Sequence, residues 1–301
     1  MFDHNETLEE ARARNVREAL FEDVGVCDWT AQLVPANERV QARLIVREEA
    51  VLCGRDWFEA CLLQLDASAK IEWAYAEGAL MAADTPVCHI QADARALLTA
   101  ERPSMNFLQT LSAVATLTRR HVQAIEGASP NPRGCVVLDT RKTLPGLRLA
   151  QKYAVRVGGG ANQRLALYDG ILIKENHIAA AGSVTAAVRN AQALVAAQAS
   201  PLREQITIQV EVETLAELRE ALAADAVSVL LDNFSLDMMR EAVKVNQDIA
   251  QGRALLEVSG GVTLEQLRGI AETGVDRISI GKLTKDVRAV DFSMRVLGKV
   301  A

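Results

Sequence analysis

Polar or glycine residues follow six short apolar runs in the second half of the chain, and their chemistry is that of an anion-binding site. An apolar run of this kind predicts a buried strand. One polar residue at a strand end is ordinary. Six of them, with basic, acidic and glycine chemistry, indicate function at the carboxyl ends of parallel strands. The positions are Asp139–Lys142, Lys174, Glu211, Asp232, Ser259–Gly261 and Gly281.

Four basic residues at or near these positions could bind carboxylate or phosphate groups: Arg141, Lys142, Arg164 and Lys174. Arginine binds such groups through two parallel hydrogen bonds, whereas lysine acts as a point charge. Lys174 could also be a Schiff-base nucleophile if it were desolvated. The four histidines assemble no Ser-His-Asp or Cys-His set. This inventory favours a reaction driven by positioning and electrostatic stabilisation.

Two acidic residues, Glu211 and Asp232, follow adjacent predicted strands. Carboxylate oxygens suit Mg²⁺, which keeps several waters and binds ligand phosphates. The alternative is a salt bridge from either carboxylate to the nearby Lys/Arg group. Both interpretations stay open at this point.

Two glycine turns could hold a phosphate. Ser259-Gly260-Gly261 precedes a capping box that begins at Thr263, and Gly281 precedes Lys282. Glycine lets the backbone approach a phosphate closely, and a helix N-terminus supplies free N–H groups. Each turn alone is equally consistent with an ordinary tight turn, but glycine turns after the last two strands of a barrel predict a phosphate cradle.

The charge of the chain is unevenly distributed. The 301 residues carry a net charge of −6, which argues against a general nucleic-acid binder. Residues 139–177 hold seven Lys/Arg and three acids, so they carry +4 and the remainder carries −10. A basic segment in an acidic protein suggests a small, strongly anionic ligand, although chance clustering on solvated helices is the alternative.

Several protein classes are excluded by simple counts. The longest apolar run has five residues, whereas a membrane span needs about 20. The acidic start lacks the features of a signal peptide, so we expect a cytoplasmic protein. Five cysteines without a Cys-x-x-Cys pair argue against a disulfide framework or a zinc ribbon.

The elements that position these residues fall into two parts. Residues 6–126 predict a helix at 6–21, strands at 39–46, 50–53, 70–76 and near 86–91, and helices at 55–66 and at 93–126, the last broken near Pro103. From residue 135 onwards, strands alternate with helices, as in βα units, and the predicted helix starts include N-caps at Ser183, Thr214 and Ser235. A parallel α/β barrel fits best, and a doubly wound open sheet is the alternative.

The motifs closely resemble those of the quinolinate phosphoribosyltransferase family. The most specific block runs from Leu138 to His177 and contains Asp-Thr-Arg-Lys-Thr-Leu-Pro-Gly-Leu-Arg, Gly-Gly-Gly, Asn-x-Arg and Leu-Ile-Lys-Glu-Asn-His. Further matches are Glu101-Arg102, Asn106-Phe107, Val210–Glu213, Leu231–Phe234, Glu257–Gly261 and Ile280–Thr284.

This resemblance implies an N-terminal α/β sandwich domain over residues 1–118, to which the tail 288–301 returns, and an incomplete α/β barrel over 119–287. It implies a homodimer whose active sites are shared between subunits. The implied reaction transfers phosphoribosyl from phosphoribosyl pyrophosphate to quinolinate with Mg²⁺, giving nicotinate mononucleotide, pyrophosphate and CO₂ in de novo NAD synthesis.

The resemblance also implies roles for individual residues. Arg102 would reach a quinolinate carboxylate across the dimer, and Arg141, Arg164 and Lys174 would bind the substrate's carboxylates. Lys142 would face the pyrophosphate, while Glu211 and Asp232 would serve the metal and the ribose hydroxyls; Lys142, Lys174 and both acids form the implied catalytic set. The remaining implied substrate-binding residues are Thr140, Gln163, Ser259, Gly260, Gly261, Ile280, Gly281, Lys282 and Lys285.

Two residues depart from the family pattern. Gln163 and Lys285 stand where the family often has histidine. Glutamine keeps a hydrogen-bond donor but carries no charge. Other possible functions are a related pyrophosphorylase for another small acid, a Schiff-base lyase using Lys174, and a non-catalytic sensor of phosphoribosyl ligands.

Overall fold

The computed structural model describes residues 6–199 and 202–300, so the acidic start at residues 1–5 lies outside the described residues. Among these residues no helix combines the length and the apolar character needed to cross a membrane.

The N-terminal part of the chain mixes helices and strands. A capping box between Thr7 and Glu10 starts the first helix. In chain order the elements are α1 (Leu8–Val24), β1 (Arg39–Val46), β2 (Ala50–Val51), α2 (Arg55–Leu65), β3 (Lys70–Trp73), β4 (Leu80–Met81), β5 (Thr85–Asp93) and α3 (Ala94–Ile125), with a 3₁₀ turn at Ala31–Leu33.

The remaining chain follows the predicted alternation. Ser183, Thr214 and Ser235 cap the helices that follow them, as the sequence predicts. The elements are β6 (Val136–Leu138), α4 (Arg148–Val157), β7 (Gly170–Ile173), α5 (Glu175–Ala181), α6 (Val184–Ala196), α7 (Leu202–Gln205), β8 (Thr207–Val212), α8 (Leu215–Ala223), β9 (Ser228–Asp232), α9 (Leu236–Ala250), β10 (Leu255–Ser259), a 3₁₀ turn (Leu264–Gln266), α10 (Leu267–Ala271), β11 (Arg277–Ser279), α11 (Lys282–Lys285) and β12 (Phe292–Lys299).

An antiparallel sheet organises the N-terminal elements in the order β12-β1-β5-β3. Strand β1 pairs with β5 on one side and with the C-terminal β12 on the other. Its apolar residues Val40, Ala42, Leu44 and Val46 are buried, because alternate side chains of a strand face the same side. They belong to a core that includes Phe58 and Leu62 of α2.

The predicted break near Pro103 is wrong, because α3 is one helix of 32 residues with Pro103 inside it. A proline inside a helix costs about 3 kcal/mol, since it removes one backbone hydrogen bond. The buried apolar face of α3 outweighs this cost, because Leu97, Leu108, Leu111 and Val114 are each at most 2% exposed.

A six-stranded parallel sheet has the order β6-β11-β10-β9-β8-β7. Strands β7 to β11 are neighbours in chain order, and β6 adds beside β11. A doubly wound sheet would reverse direction partway along this order, which this one does not. The predicted fold class, an N-terminal α/β domain with an incomplete parallel barrel, is therefore confirmed.

Contacts between Cα atoms divide the chain into two compact units. One contains the residues up to Arg119, Thr143–Gly159 and the residues from Lys282 onwards; the other contains Arg120–Lys142 and Gly160–Gly281. The second unit therefore contains all six parallel strands and most of the predicted site residues.

Candidate functional site

The parallel strands bring most of the predicted site residues to one edge of the sheet. Lys174 directly follows β7, Glu211 is the penultimate residue of β8, and Asp232 and Ser259 end β9 and β10. Because all these strands are parallel, their carboxyl ends meet at the same edge.

Lys174 forms an ion pair with Glu211. The Nζ atom of Lys174 donates to both carboxylate oxygens of Glu211, at 3.0 and 2.8 Å. The backbone N–H of Lys174, the residue that precedes α5, donates to Nδ1 of His177 at 3.0 Å. The Lys174 side chain is paired with a carboxylate and is 45% exposed, so it is not desolvated as the Schiff-base alternative requires.

Glu211 and Asp232 lie on the same face of neighbouring strands. Glu211 pairs in register with Leu230 of β9, and Asp232 lies two residues further along that strand. Residues two apart share a strand face, so the two carboxylates lie on the same face of neighbouring strands and are offset by two residues along the strand direction. Oδ2 of Asp232 also accepts from the side chain of Asn233 at 2.8 Å.

This pair of carboxylates fits a Mg²⁺ ion that is completed by substrate. Within residues 6–199 and 202–300 no group of three or more His, Cys, Asp or Glu side chains is arranged to hold a metal ion. Mg²⁺ commonly uses only one or two carboxylates together with substrate phosphates and water. Each carboxylate oxygen has two lone pairs, so the Lys174 bonds do not exhaust Glu211.

Arg141 and Arg164 are brought together by the buried carboxylate of Asp139. This carboxylate accepts from the side chain of Asn162 at 2.6 Å and from the backbone N–H of Gln163 at 2.9 Å. It therefore ties the segment before Arg164 to the segment that leads from β6 to Arg141.

The two guanidinium groups oppose one another electrostatically. Burial is the main cause that lowers the pKa of Arg164, and the nearby positive charge of Arg141 lowers it further. Arg164 donates from Nη1 to the carbonyl of Gly170 at 3.0 Å, while its buried Nε has no hydrogen-bond partner among the described residues. An anion would relieve the repulsion and satisfy this donor.

The segments after β6 and β11 also meet. The backbone N–H of Ile280 donates to the carbonyl of Leu138 at 2.9 Å. A Cβ atom on Gly281 would lie only 2.9 Å from Cδ of Lys142 and 3.4 Å from Oγ1 of Thr140. Glycine at 281 is therefore what allows Lys142 to pack across this turn.

The turn after β10 depends on Gly260. Its φ is +101°, and a Cβ atom there would lie 2.2 Å from Oδ1 of Asn233. The backbone N–H of Asn233 in turn donates to the carbonyl of Ser259 at 3.2 Å. Gly261 also has a positive φ of +57°, but a Cβ atom at that position would meet open space.

We expect Gly260→Ala to destabilise the protein by about 3 kcal/mol, because it combines a disfavoured backbone conformation with a steric clash. Gly261→Ala is the matched control, and it should cost only about 1 kcal/mol, since its φ is left-handed but unobstructed. Urea unfolding of both variants measures the difference. Equal losses would show that contact with Asn233 does not constrain the turn.

Three predicted residues belong to the other contact unit. Arg102 is exposed on α3, and Lys282 and Lys285 are exposed on α11. Nζ of Lys285 lies 3.8 Å from a carboxylate oxygen of Asp286. The roles of these three residues stay predictions.

A layer of buried polar residues inside the strands was not predicted from the sequence. Gln209 and Glu257 are 7% and 1% exposed, although each interrupts an apolar run. Burial is the largest cause that raises the pKa of Glu257, and its hydrogen bond with Gln209 opposes that rise. The available signal was position: Gln209 lies two residues before Glu211, and Glu257 lies two before Ser259, so each shares a face with a predicted site residue.

Family models and known proteins match the chain along most of its length. A model of the quinolinate phosphoribosyl transferase N-terminal domain matches residues 28–112, and one of the C-terminal domain matches residues 114–295. The nicotinate-nucleotide pyrophosphorylase (carboxylating) of Mycobacterium leprae is 40% identical over 292 residues, which are 95% of this chain and 97% of the relative.

A second relative, a probable nicotinate-nucleotide pyrophosphorylase (carboxylating) of Bacillus subtilis, is 37% identical over 92% of this chain and 90% of its own length. The solved structure of the nicotinate-nucleotide pyrophosphorylase from Francisella tularensis is 41% identical to this chain. It has a TM-score of 0.85, covering 98% of this chain and 100% of the other.

Proposed function

The chain belongs to the quinolinate phosphoribosyltransferase family, and we propose that it transfers the phosphoribosyl group of phosphoribosyl pyrophosphate to quinolinate. The products are nicotinate mononucleotide, pyrophosphate and CO₂, in de novo NAD synthesis. The observation that carries the proposal is the Arg141–Arg164 pair, since two opposed guanidinium groups with an unsatisfied buried donor suit a dicarboxylate.

Quinolinate binds through its two carboxylates in this proposal. Arg141 and Arg164 hold the carboxylates, and Gln163 and Lys174 contribute further hydrogen-bond donors beside them. Asp139 fixes the relative position of the two arginine segments through its bonds to Asn162 and Gln163. Holding the ring in one orientation places its nitrogen for attack on the ribose carbon.

Phosphoribosyl pyrophosphate binds at the glycine turns. The 5′-phosphate accepts hydrogen bonds from backbone N–H groups in the turns after β10 and β11. Lys142 and Lys285 face the pyrophosphate. The open space above Gly261 and the close packing of Lys142 over Gly281 support this assignment. The residues assigned to these phosphates, other than those two lysines, are Thr140, Ser259, Gly260, Gly261, Ile280, Gly281 and Lys282.

The reaction needs no protein nucleophile. Positive charge develops on the ribose carbon as pyrophosphate leaves, and the carboxylates of Glu211 and Asp232 stabilise it. The ring nitrogen becomes cationic when the new bond forms. Loss of CO₂ from the adjacent carbon leaves a carbanion that this nitrogen stabilises, and the carbanion takes up a proton from water to give nicotinate mononucleotide. Lys174 holds Glu211 in place and keeps a positive charge beside the substrate carboxylates.

Glu211 and Asp232 are the residues that would hold Mg²⁺, together with substrate oxygens. When bound, the ion neutralises charge on the departing pyrophosphate and so makes it a better leaving group. The same-face arrangement of the two carboxylates supports this assignment.

A homodimer with shared active sites completes the proposal. Four apolar side chains between residues 21 and 33 are strongly exposed: Phe21 (83%), Val26 (97%), Trp29 (75%) and Leu33 (85%). Exposed apolar surface of this kind supports burial against another protein. In this dimer, Arg102 reaches the quinolinate site of the partner subunit. We also propose that the enzyme works in the cytoplasm.

Release of labelled CO₂ from carboxyl-labelled quinolinate tests the function. We expect release that requires both phosphoribosyl pyrophosphate and Mg²⁺, and that stops on addition of a chelator. Nicotinate, which lacks the second carboxylate, and other small acids form the control panel. Turnover of another acid but not of quinolinate would favour a related pyrophosphorylase instead, and binding of phosphoribosyl ligands without turnover would favour a sensor.

A further inference from the structure

We propose that Gln209 and Glu257 are positioning residues for quinolinate binding, because their buried hydrogen-bonded chain fixes the orientation of the Gln163 side chain. The inference rests on the proposed function and concerns this chain's own residue at 163. The three hydrogen-bonded side chains lie on different elements: Gln163 in the segment before β7, Gln209 on β8 and Glu257 on β10.

The three side chains form an uninterrupted series of hydrogen bonds that crosses the parallel sheet. Nε2 of Gln163 donates to Oε1 of Gln209 at 3.0 Å. Nε2 of Gln209 then donates to Oε2 of Glu257 at 2.9 Å and to Oγ of Ser228 at 3.2 Å. Gln209 thus uses both amide hydrogens and its oxygen in one arrangement.

The arrangement admits only one orientation of the Gln209 amide. Turning the amide over would place its oxygen against the carboxylate oxygen of Glu257 and its nitrogen against the nitrogen of Gln163. Both original hydrogen bonds would be lost in a buried site, where unsatisfied polar groups are strongly disfavoured. Glu257 therefore determines which atom of Gln209 faces Gln163.

Gln163 is consequently fixed at two points. Its backbone N–H donates to Asp139 at 2.9 Å, and its side-chain nitrogen donates to Gln209 at 3.0 Å. Asp139 also anchors the segment that leads to Arg141, and Arg164 is the next residue in the chain. The direction of the Gln163 amide is therefore coupled to the proposed carboxylate-binding arginines.

The strand geometry places Gln209 and Glu257 directly beneath the proposed site. Gln209 shares a face of β8 with Glu211, and Glu257 shares a face of β10 with Ser259, since each pair is two residues apart. Glu257 is 1% exposed and Gln209 is 7% exposed, so substrate cannot touch either of them. They act through Gln163, which separates them from the catalytic residues.

A double-mutant cycle between Gln209→Met and Gln163→Ala tests the inference. Methionine keeps the length of Gln209 but removes all three side-chain hydrogen bonds, to Gln163, Ser228 and Glu257. We expect Gln209→Met to raise the KM for quinolinate about five- to tenfold, with a smaller change in the KM for phosphoribosyl pyrophosphate. In the Gln163→Ala background, Gln209→Met should have no further effect, because the residue it orients is gone.

Asn246→Leu is the matched control. It removes another buried amide of the second unit, whose nitrogen donates to the carbonyl of Ala254 at 2.9 Å. We expect this variant to lower the melting temperature without changing the ratio of the two KM values. Should Gln209→Met fail to fold, Glu257→Leu takes its place in the cycle, because it leaves Gln209 present but removes its anchor.

Additive effects of the two substitutions in an enzyme that turns over quinolinate would overturn the inference alone, since Gln209 would then matter only for folding. A wild-type protein that releases no CO₂ from quinolinate would overturn the proposed function and this inference with it. Loss of the quinolinate effect in the Gln163→Ala background would support both.

Discussion

Arg141→Ala is expected to weaken quinolinate binding about a hundredfold, while changing the affinity for phosphoribosyl pyrophosphate by less than about threefold. The proposal gives Arg141 a carboxylate of quinolinate and gives the phosphates to other residues. Hydrogen bonds to a charged group contribute about 1.5–3 kcal/mol each. Loss of the guanidinium group should therefore lower the affinity for quinolinate and leave the affinity for phosphoribosyl pyrophosphate almost unchanged. Calorimetric titration with each substrate separately measures both affinities.

The control for this substitution is Arg240→Ala, which removes an exposed arginine of α9 in the same unit. Arg240 pairs only with Asp237 one turn away, at 2.7 Å, among the ion pairs of the described residues. Its loss should leave both affinities unchanged. If Arg141→Ala weakened both ligands equally, Arg141 would not be a carboxylate-specific residue, and the proposed division of the site would be wrong.

The parallel sheet could be predicted from sequence because its strands are buried on both faces. Apolar runs such as Val227–Leu231 and Leu255–Val258 are typical of such strands, and each corresponds to a strand of the sheet. Helix starts were equally predictable, since Ser and Thr caps act within three residues. The continuity of α3 through Pro103 was not predictable, because the packing that keeps this helix continuous comes from residues distant in sequence.

Within the candidate site, the sequence predicted which residues end the strands but not how they pair. Lys174 and Glu211 lie 37 residues apart, and their ion pair depends on β7 and β8 being neighbours. Asp139 reads in sequence as one more polar residue after a strand, whereas the structure shows it binding the segment before Arg164. Partner choice of this kind follows from strand order and register, which apolar runs do not encode.

The buried layer of Gln209 and Glu257 shows the same limit from the other direction. A polar residue inside an apolar run weakens a strand prediction when it is considered alone. It becomes informative only when it lies two residues before a functional strand end, because it then shares the interior face with that residue. The sequence contains this pattern at both positions, but the hydrogen bonds that join them cross the sheet.

Inactive variants are expected to restore activity when they are combined in one dimer. In the proposed homodimer, each site takes Arg141 from one subunit and Arg102 from its partner. A heterodimer of an Arg102→Ala subunit and an Arg141→Ala subunit therefore has one site without either arginine and one intact site. Tandem purification of co-expressed, differently tagged subunits should give about half of the wild-type activity per dimer, although both parent homodimers are nearly inactive.

The pairing of variants makes this result specific. A heterodimer of Arg141→Ala and Lys174→Ala subunits is the control, because both residues serve the site of their own chain: one site lacks Arg141, the other lacks Lys174, and neither is intact. The expected activity of this control is consequently that of the parents rather than half. Recovery with Arg102→Ala but not with Lys174→Ala would show that Arg102 alone acts across the interface, whereas no recovery in either dimer would place Arg102 outside the partner's site.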